Sequence, residues 1–127
     1  MPATLLTFLR DRDPRRLDAM LAADVRFHSP IRDYLGRADV GHLFTAIAGV
    51  LDGVEAVRDL STASEHTTFI SGSVEGHAIE GVLDEHLDDA GRIVEVTLML
   101  RPLSVLNRAV RAMTTVLEAA PLPSSAR

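Results

Sequence analysis

Five histidines and eighteen carboxylates are the groups in this chain best suited to move protons or bind a metal ion, and spacing narrows them to a few. His28 stands in "RFHSP" (26–30), at the end of a short alternating segment closed by Ser29-Pro30. Its imidazole can donate or accept a proton near neutral pH. In a strand it shares a face with Arg26 and opposes Phe27 and Ser29, and either pair can point inward. The plainer reading is a part-buried histidine bonded to backbone. Glu85 has Leu83 and Leu87 two positions away on either side, so it shares a strand face with them. A carboxylate on such a face has its pKa raised by desolvation, the state a general acid or base needs. The plainer alternative is a side chain near a hairpin tip that reaches water.

Tyr34, the only tyrosine, lies on a loop and could give a hydrogen bond to a ligand oxygen or simply pack. Arg101, just before Pro102, could hold a ligand carboxylate or an acidic neighbour. Asp84 and His86 share a strand face but lack a third ligand in sequence, and read as polar contacts of an outer face. His77 and Glu80 fall on opposite faces. No metal site and no cofactor are therefore expected. Ser71 and Ser73 have no base nearby, and the absence of cysteine removes thiolate chemistry and disulfides.

The elements that must position these groups follow from periodicity. Leu5, Leu6 and Leu9 share a helical stripe, and a second short helix restarts at Asp13-Pro14, a good N-cap and first-turn pair. Residues 24–29 alternate as a strand stopped by Pro30, and "IRDYLGR" (31–37) reads as a loop. Val40, Leu43, Phe44, Ile47, Val50 and Leu51 mark an amphipathic helix over 39–51, closed by Gly53. The period then changes to alternation over 54–65, 67–75, 77–87 and 92–101, four successive strands. "DDAG" (88–91) joins the last two. After Pro102, Leu103, Leu106, Val110, Met113 and Leu117 step by three and four along a final helix. This order predicts an α+β domain over 1–120, with helices packed on one face of an antiparallel sheet. Residues 121–127, proline-broken and polar, are expected to be a disordered tail.

The chain's 127 residues suit one hydrophobic core. A net charge of −5, with arginines and aspartates interleaved rather than in a basic stripe, argues against nucleic acid. No stretch approaches the roughly 18 apolar residues of a membrane span, and the N-terminal run lacks signal-peptide features. A soluble, cytoplasmic protein is expected.

The strings "LLAADVRFHSPIRDYLGRADVGHLF" and "GRIVEVTLMLRPLSVLN" resemble the nuclear transport factor 2-like superfamily, in its SnoaL-like polyketide-cyclase branch. The likeness covers about residues 5 to 105. It implies a curved antiparallel sheet wrapped around helices as a cone, a pocket at the open end, and a homodimer through the sheet's outer face. Catalytic positions of the superfamily fall on Ser29 (an aspartate base in ketosteroid isomerases) and on Gly72, Val74 and Leu98 (charged in epoxide hydrolases). The cyclase aspartate falls on Leu83, with Asp84 one place later and so on the other face.

Pairing in the last hairpin has two candidate registers. With a four-residue loop, Glu85, Leu83, Gly81 and Ile79 share a face with Val94, Val96, Leu98 and Leu100. With a three-residue turn and left-handed Gly91, Leu87 meets Ile93 and Glu85 faces Glu95. The hydrophobic split favours the first. The resulting expectation is a small-molecule-binding protein whose pocket is lined by Gly72, Val74, Leu83, Val96 and Leu98, with Tyr34 and Arg101 as further ligand contacts. His28 and Glu85 are the candidate catalytic groups for cofactor-independent acid–base chemistry of isomerase or cyclase type. The alternative is a non-catalytic binding or dimerisation module.

Overall fold

Local chemistry starts the first helices where the sequence places them. In the computed structural model, which describes residues 4–126, α1 (Leu5–Asp11) is capped by Thr4, whose side chain accepts from the Thr7 N–H. α2 (Pro14–Met20) opens with Pro14 in its first turn, and Asp13 Oδ1 accepts from the Arg15 N–H at 3.0 Å. Then come β1 (Leu21–His28), β2 (Asp33–Leu35) and α3 (Arg37–Val50). The four long strands predicted after α3 are β3 (Asp52–Ser61), β4 (Glu65–Val74), β5 (His77–Leu87) and β6 (Ile93–Arg101); α4 (Leu103–Ala119) follows. Leu5, Phe8 and Leu9 of α1 and Val40, Leu43, Phe44 and Ile47 of α3 are buried against the sheet's inner face. The Phe27 and Phe44 rings meet at 4.6 Å and tie β1 to α3.

The six strands run in the order β2-β1-β6-β5-β4-β3. All neighbours are antiparallel except β1 and β6, which pair in parallel, so the sheet is mixed rather than wholly antiparallel. The segment read as a loop contains β2, because Tyr34 pairs with Phe27 and Asp33 with His28. These pairings join distant or irregular segments, and local periodicity carries no trace of them.

The β5–β6 hairpin takes neither predicted register. Leu87 meets Ile93, as the short turn requires, with Gly91 left-handed at φ 82°. One extra residue then bulges, and from His86 onward the pairs run 86/95, 85/96, 83/98 and 81/100. A bulge adds a residue to one strand only. It thereby keeps Glu85, Leu83, Val96 and Leu98 on one face while sliding each pair from the register the hydrophobic split favoured.

Residues 121–126 also depart from the expected disordered tail. A 3-10 turn (Pro123–Ala126) docks on the first turn of α3, where Asp39 accepts from the Ser124 N–H at 3.0 Å and from its hydroxyl at 2.6 Å. Leu122 packs against the core. A polar composition hid these contacts, because their partner lies some 85 residues away in sequence.

Candidate functional site

Between the sheet and α4 lies a cavity of about 170 Å³. Phe27 on β1 and Leu98 and Leu100 on β6 supply one wall, and Leu43, Ile47 and Val50 of α3 another. Leu106, Val110 and Met113 of α4 close it, and Pro30, Ile31 and Tyr34 form the rim. Among the described residues no aspartate, glutamate, histidine or arginine lines it. Its polar groups are Ser29, Tyr34 and Thr114. The Ser29 hydroxyl is committed to its own turn: it donates to the Arg32 carbonyl at 2.7 Å and accepts from the Ile31 and Arg32 N–H groups. Thr114 donates to the Val110 carbonyl within α4. Tyr34 stacks on Phe27 at 6.1 Å, with the Arg32 guanidinium 4.9 Å from its ring centre. Its hydroxyl makes no hydrogen bond among the described residues, which leaves it available to a guest.

Of the residues expected to line a pocket, Tyr34 and Leu98 do so. Val74, Leu83 and Val96 are fully buried within the continuous core, and none borders the cavity. Gly72 is covered by β3: a Cβ there would lie 2.9 Å from the Asp52 carbonyl oxygen and 3.5 Å from Val54 Cγ2. The inner face of β4 and β5 is thus filled by packing, and the space that remains sits farther along the sheet, beneath α4.

His28 points away from this cavity. Val25 and Phe27 take the inner face of β1, because burying their apolar surface is favourable and burying Arg26 or His28 would not be. On the outer face the His28 ring bridges two carboxylates, Nδ1 to Asp33 at 2.8 Å and Nε2 to Glu95 at 2.7 Å. The Glu95 bond, then the Asp33 bond, raise the His28 pKa, and the same His28 contact lowers that of Glu95. A carboxylate on each side of the ring favours the imidazolium. This is an ion-pair clamp between β1, β2 and β6.

Glu85 is on the inner face and only 1% exposed, far from water rather than at a solvated hairpin tip. One carboxylate oxygen accepts from the Leu5 N–H at 3.0 Å, and the other has no partner among the described residues. Burial, opposed by that bond and aided by the nearby Asp84 charge, pushes its pKa up to about 7. The expected desolvation is present, at a position closed off by α1 and away from the cavity lining. Arg101 is exposed on the outer face and paired with Glu80, its partner in the β5–β6 ladder, so it does not reach the cavity.

No family model matches the sequence, and neither does any curated protein. Solved structures do match in fold. A protein with a cystatin-like fold from Silicibacter pomeroyi superposes with a TM-score of 0.84 at 21% identity, over 88% of this chain and 81% of that one. A steroid delta-isomerase from Pseudomonas aeruginosa gives 0.82 at 27% identity, over 88% and 85%. A protein of ketosteroid isomerase-like fold from Catenulispora acidiphila, solved in complex with trimethylamine, gives 0.64 at 14% identity, over 87% and 95%. The fold is nuclear transport factor 2-like, or cystatin-like.

Within this nuclear transport factor 2-like fold, the positions carried over from the sequence resemblance are chemically quiet. Ser29 is tied into its turn, Leu83 is core, and Asp84 faces outward as the one-residue offset requires. Sequence reasoning missed the roof of the cavity. Leu106, Val110 and Met113 were visible as an apolar stripe, but a stripe that covers a cavity and one that fills a core have the same period. It also missed Glu65, which the β4–β5 register sets directly opposite His86.

Proposed function

We propose that this chain binds a small, neutral, mostly apolar molecule in the cavity beneath α4, without proton-transfer chemistry by the lining residues. The observation that supports this is the lining itself: apolar walls, one uncommitted phenol, and, among the described residues, no aspartate, glutamate, histidine or arginine. Apolar cavities of roughly 150 Å³ remain dry and admit guests of benzene size. A single-ring ketone or alcohol would fill this one and take a hydrogen bond from Tyr34. The fold likeness to a steroid isomerase and to a protein holding trimethylamine supports a small-molecule role. Placement in the SnoaL-like branch belongs to the same proposal and rests on the sequence strings alone.

Because the chain has one tyrosine and no tryptophan, its intrinsic emission reports on this site directly. Titration with alicyclic ketones is expected to change Tyr34 emission saturably. Ala109→Phe, which fills the cavity from α4, should abolish the response while the thermal transition persists. Tyr34→Phe should weaken binding by about fivefold, as loss of one neutral hydrogen bond of about 1 kcal/mol predicts, read by calorimetry. A flat titration up to millimolar ketone would remove the proposal.

A homodimer through the outer sheet face is part of the same reading. Val57, Leu60 and Met99 are exposed there, each more than half accessible. Sedimentation velocity should find the mass of two chains, reduced to one by Met99→Asp. A wild-type monomer at micromolar concentration would dispose of it.

A further inference from the structure

We propose that Glu65, Asp84 and His86 form a binding site for a first-row divalent transition cation, zinc foremost, on the outer face of the sheet. The site is independent of the cavity, which lies on the inner face. Its parts come from two adjacent strands. Asp84 and His86 are two apart on β5 and share a face, and the β4–β5 register sets Glu65 across from His86 and Thr67 across from Asp84. This supplies the third ligand that sequence spacing on β5 alone could not provide.

The three donor atoms lie close together. His86 Nε2 lies 3.1 Å from Glu65 Oε2 and 3.1 Å from Asp84 Oδ2, and the three donor atoms are all within 4.8 Å of one another. Zinc bonds to nitrogen and carboxylate oxygen are about 2.0–2.2 Å, so ligands around one ion stand roughly 3–3.5 Å apart. Both imidazole–carboxylate separations already match that spacing, and the two carboxylate oxygens, at most 4.8 Å apart, would draw together on the ion. Two carboxylates here converge on a single imidazole nitrogen, which offers at most one proton between them. A divalent cation would satisfy both at once.

Support from the next layer is also present. Thr67 Oγ1 donates to Asp84 Oδ1 at 2.7 Å, fixing that carboxylate with its other oxygen toward His86. Such outer bonds orient the ligands of metal sites. The three side chains are 23% to 44% exposed, so an ion can enter and keep positions open to water or a small anion. The neighbouring cluster around His28 lacks this convergence, because Asp33 and Glu95 bind opposite nitrogens of the ring.

Calorimetric titration of the full chain with zinc chloride tests the assignment, with cobalt(II) absorption as the spectroscopic check. The expected result is one equivalent bound per chain, with visible cobalt bands. His86→Ala should abolish both, and Asp84→Asn should weaken binding at least about tenfold. Thr67→Val should weaken it about ten- to a hundredfold, the usual effect of removing an outer bond. His28→Gln should bind as the wild type does. These side chains lie on the outer face, and circular dichroism melts will verify that each variant folds. Absence of stoichiometric zinc binding would overturn the proposal, as would His86→Ala binding like the wild type or His28→Gln losing the ion equally.

Discussion

Glu85→Gln is expected to flatten the pH dependence of stability between about pH 4.5 and 8, and to make the protein more stable than the wild type at pH 8. In the unfolded chain this carboxyl titrates near 4.5; in the folded protein, burial carries it up to about 7. Below pH 4.5 both states hold the proton, and Glu85 costs folding nothing electrostatically. As pH rises, the unfolded chain releases the proton first and gains free energy that the folded state cannot. The stability present at low pH is therefore lost progressively and is gone above pH 7. The separation corresponds to about 3 kcal/mol, at about 1.4 kcal/mol per pH unit.

Glutamine keeps an oxygen for the Leu5 N–H and carries no charge. It should gain about 2–3 kcal/mol over the wild type at pH 8 and change little at pH 4.5. His28 also has a raised pKa, so its contribution falls in the same direction above neutrality. It is a third exposed, solvent weakens its share, and it persists in the Gln variant. Glu95, Asp84 and Asp13 have lowered values and lose their contributions only in acid. Denaturant unfolding from pH 4.5 to 8.5 on both proteins measures the difference. An unchanged slope in Glu85→Gln would show that this carboxyl is not the group responsible.

Gly81→Ala is expected to cost about 3 kcal/mol or more, since a Cβ there meets the tightest surroundings of any glycine in the chain. A Cβ at Gly81 would run into the Met99 carbonyl oxygen and stand 2.8 Å from Leu100 Cδ2. The first of these is backbone, so no side-chain rotation relieves it. β5 has neighbours on both sides, β6 and β4, and cannot move from one without breaking into the other. Overpacking a core with flexible surroundings costs about 1–3 kcal/mol; a backbone clash within a central ladder belongs at or beyond the upper end. Gly72→Ala is the informative comparison. Its Cβ would meet the Asp52 carbonyl oxygen at 2.9 Å, but β3 is an edge strand with a bulge next to Asp52. That strand can give way, and the expected cost is about 1 kcal/mol. Thermal and denaturant unfolding of both variants check the ordering. Equal losses would mean that β6 yields as readily as the edge does.

What the sequence by itself determined about this protein is whatever a residue's near neighbours decide. Asp13-Pro14 sets the start of α2 because the cap and the fixed proline angle act within one turn. The stripes of α3 and α4 and the alternation of β3 to β6 are equally local, and with the family resemblance they reached the α+β fold. The face shared by Glu85, Leu83, Val96 and Leu98 was also legible, since parity along a strand survives a two-residue slide. Tertiary structure alone decided the rest. Which face of β1 turns inward is symmetric in an alternating segment until α3 supplies Phe44 as a partner for Phe27, and this choice sends His28 out. The parallel β1–β6 pairing, the bulge after Ile93, the docking of Ser124 on Asp39 and the meeting of Glu65 with His86 all join residues distant in the chain. Their energies depend on where the backbone has already been placed, and a one-dimensional pattern does not contain that information.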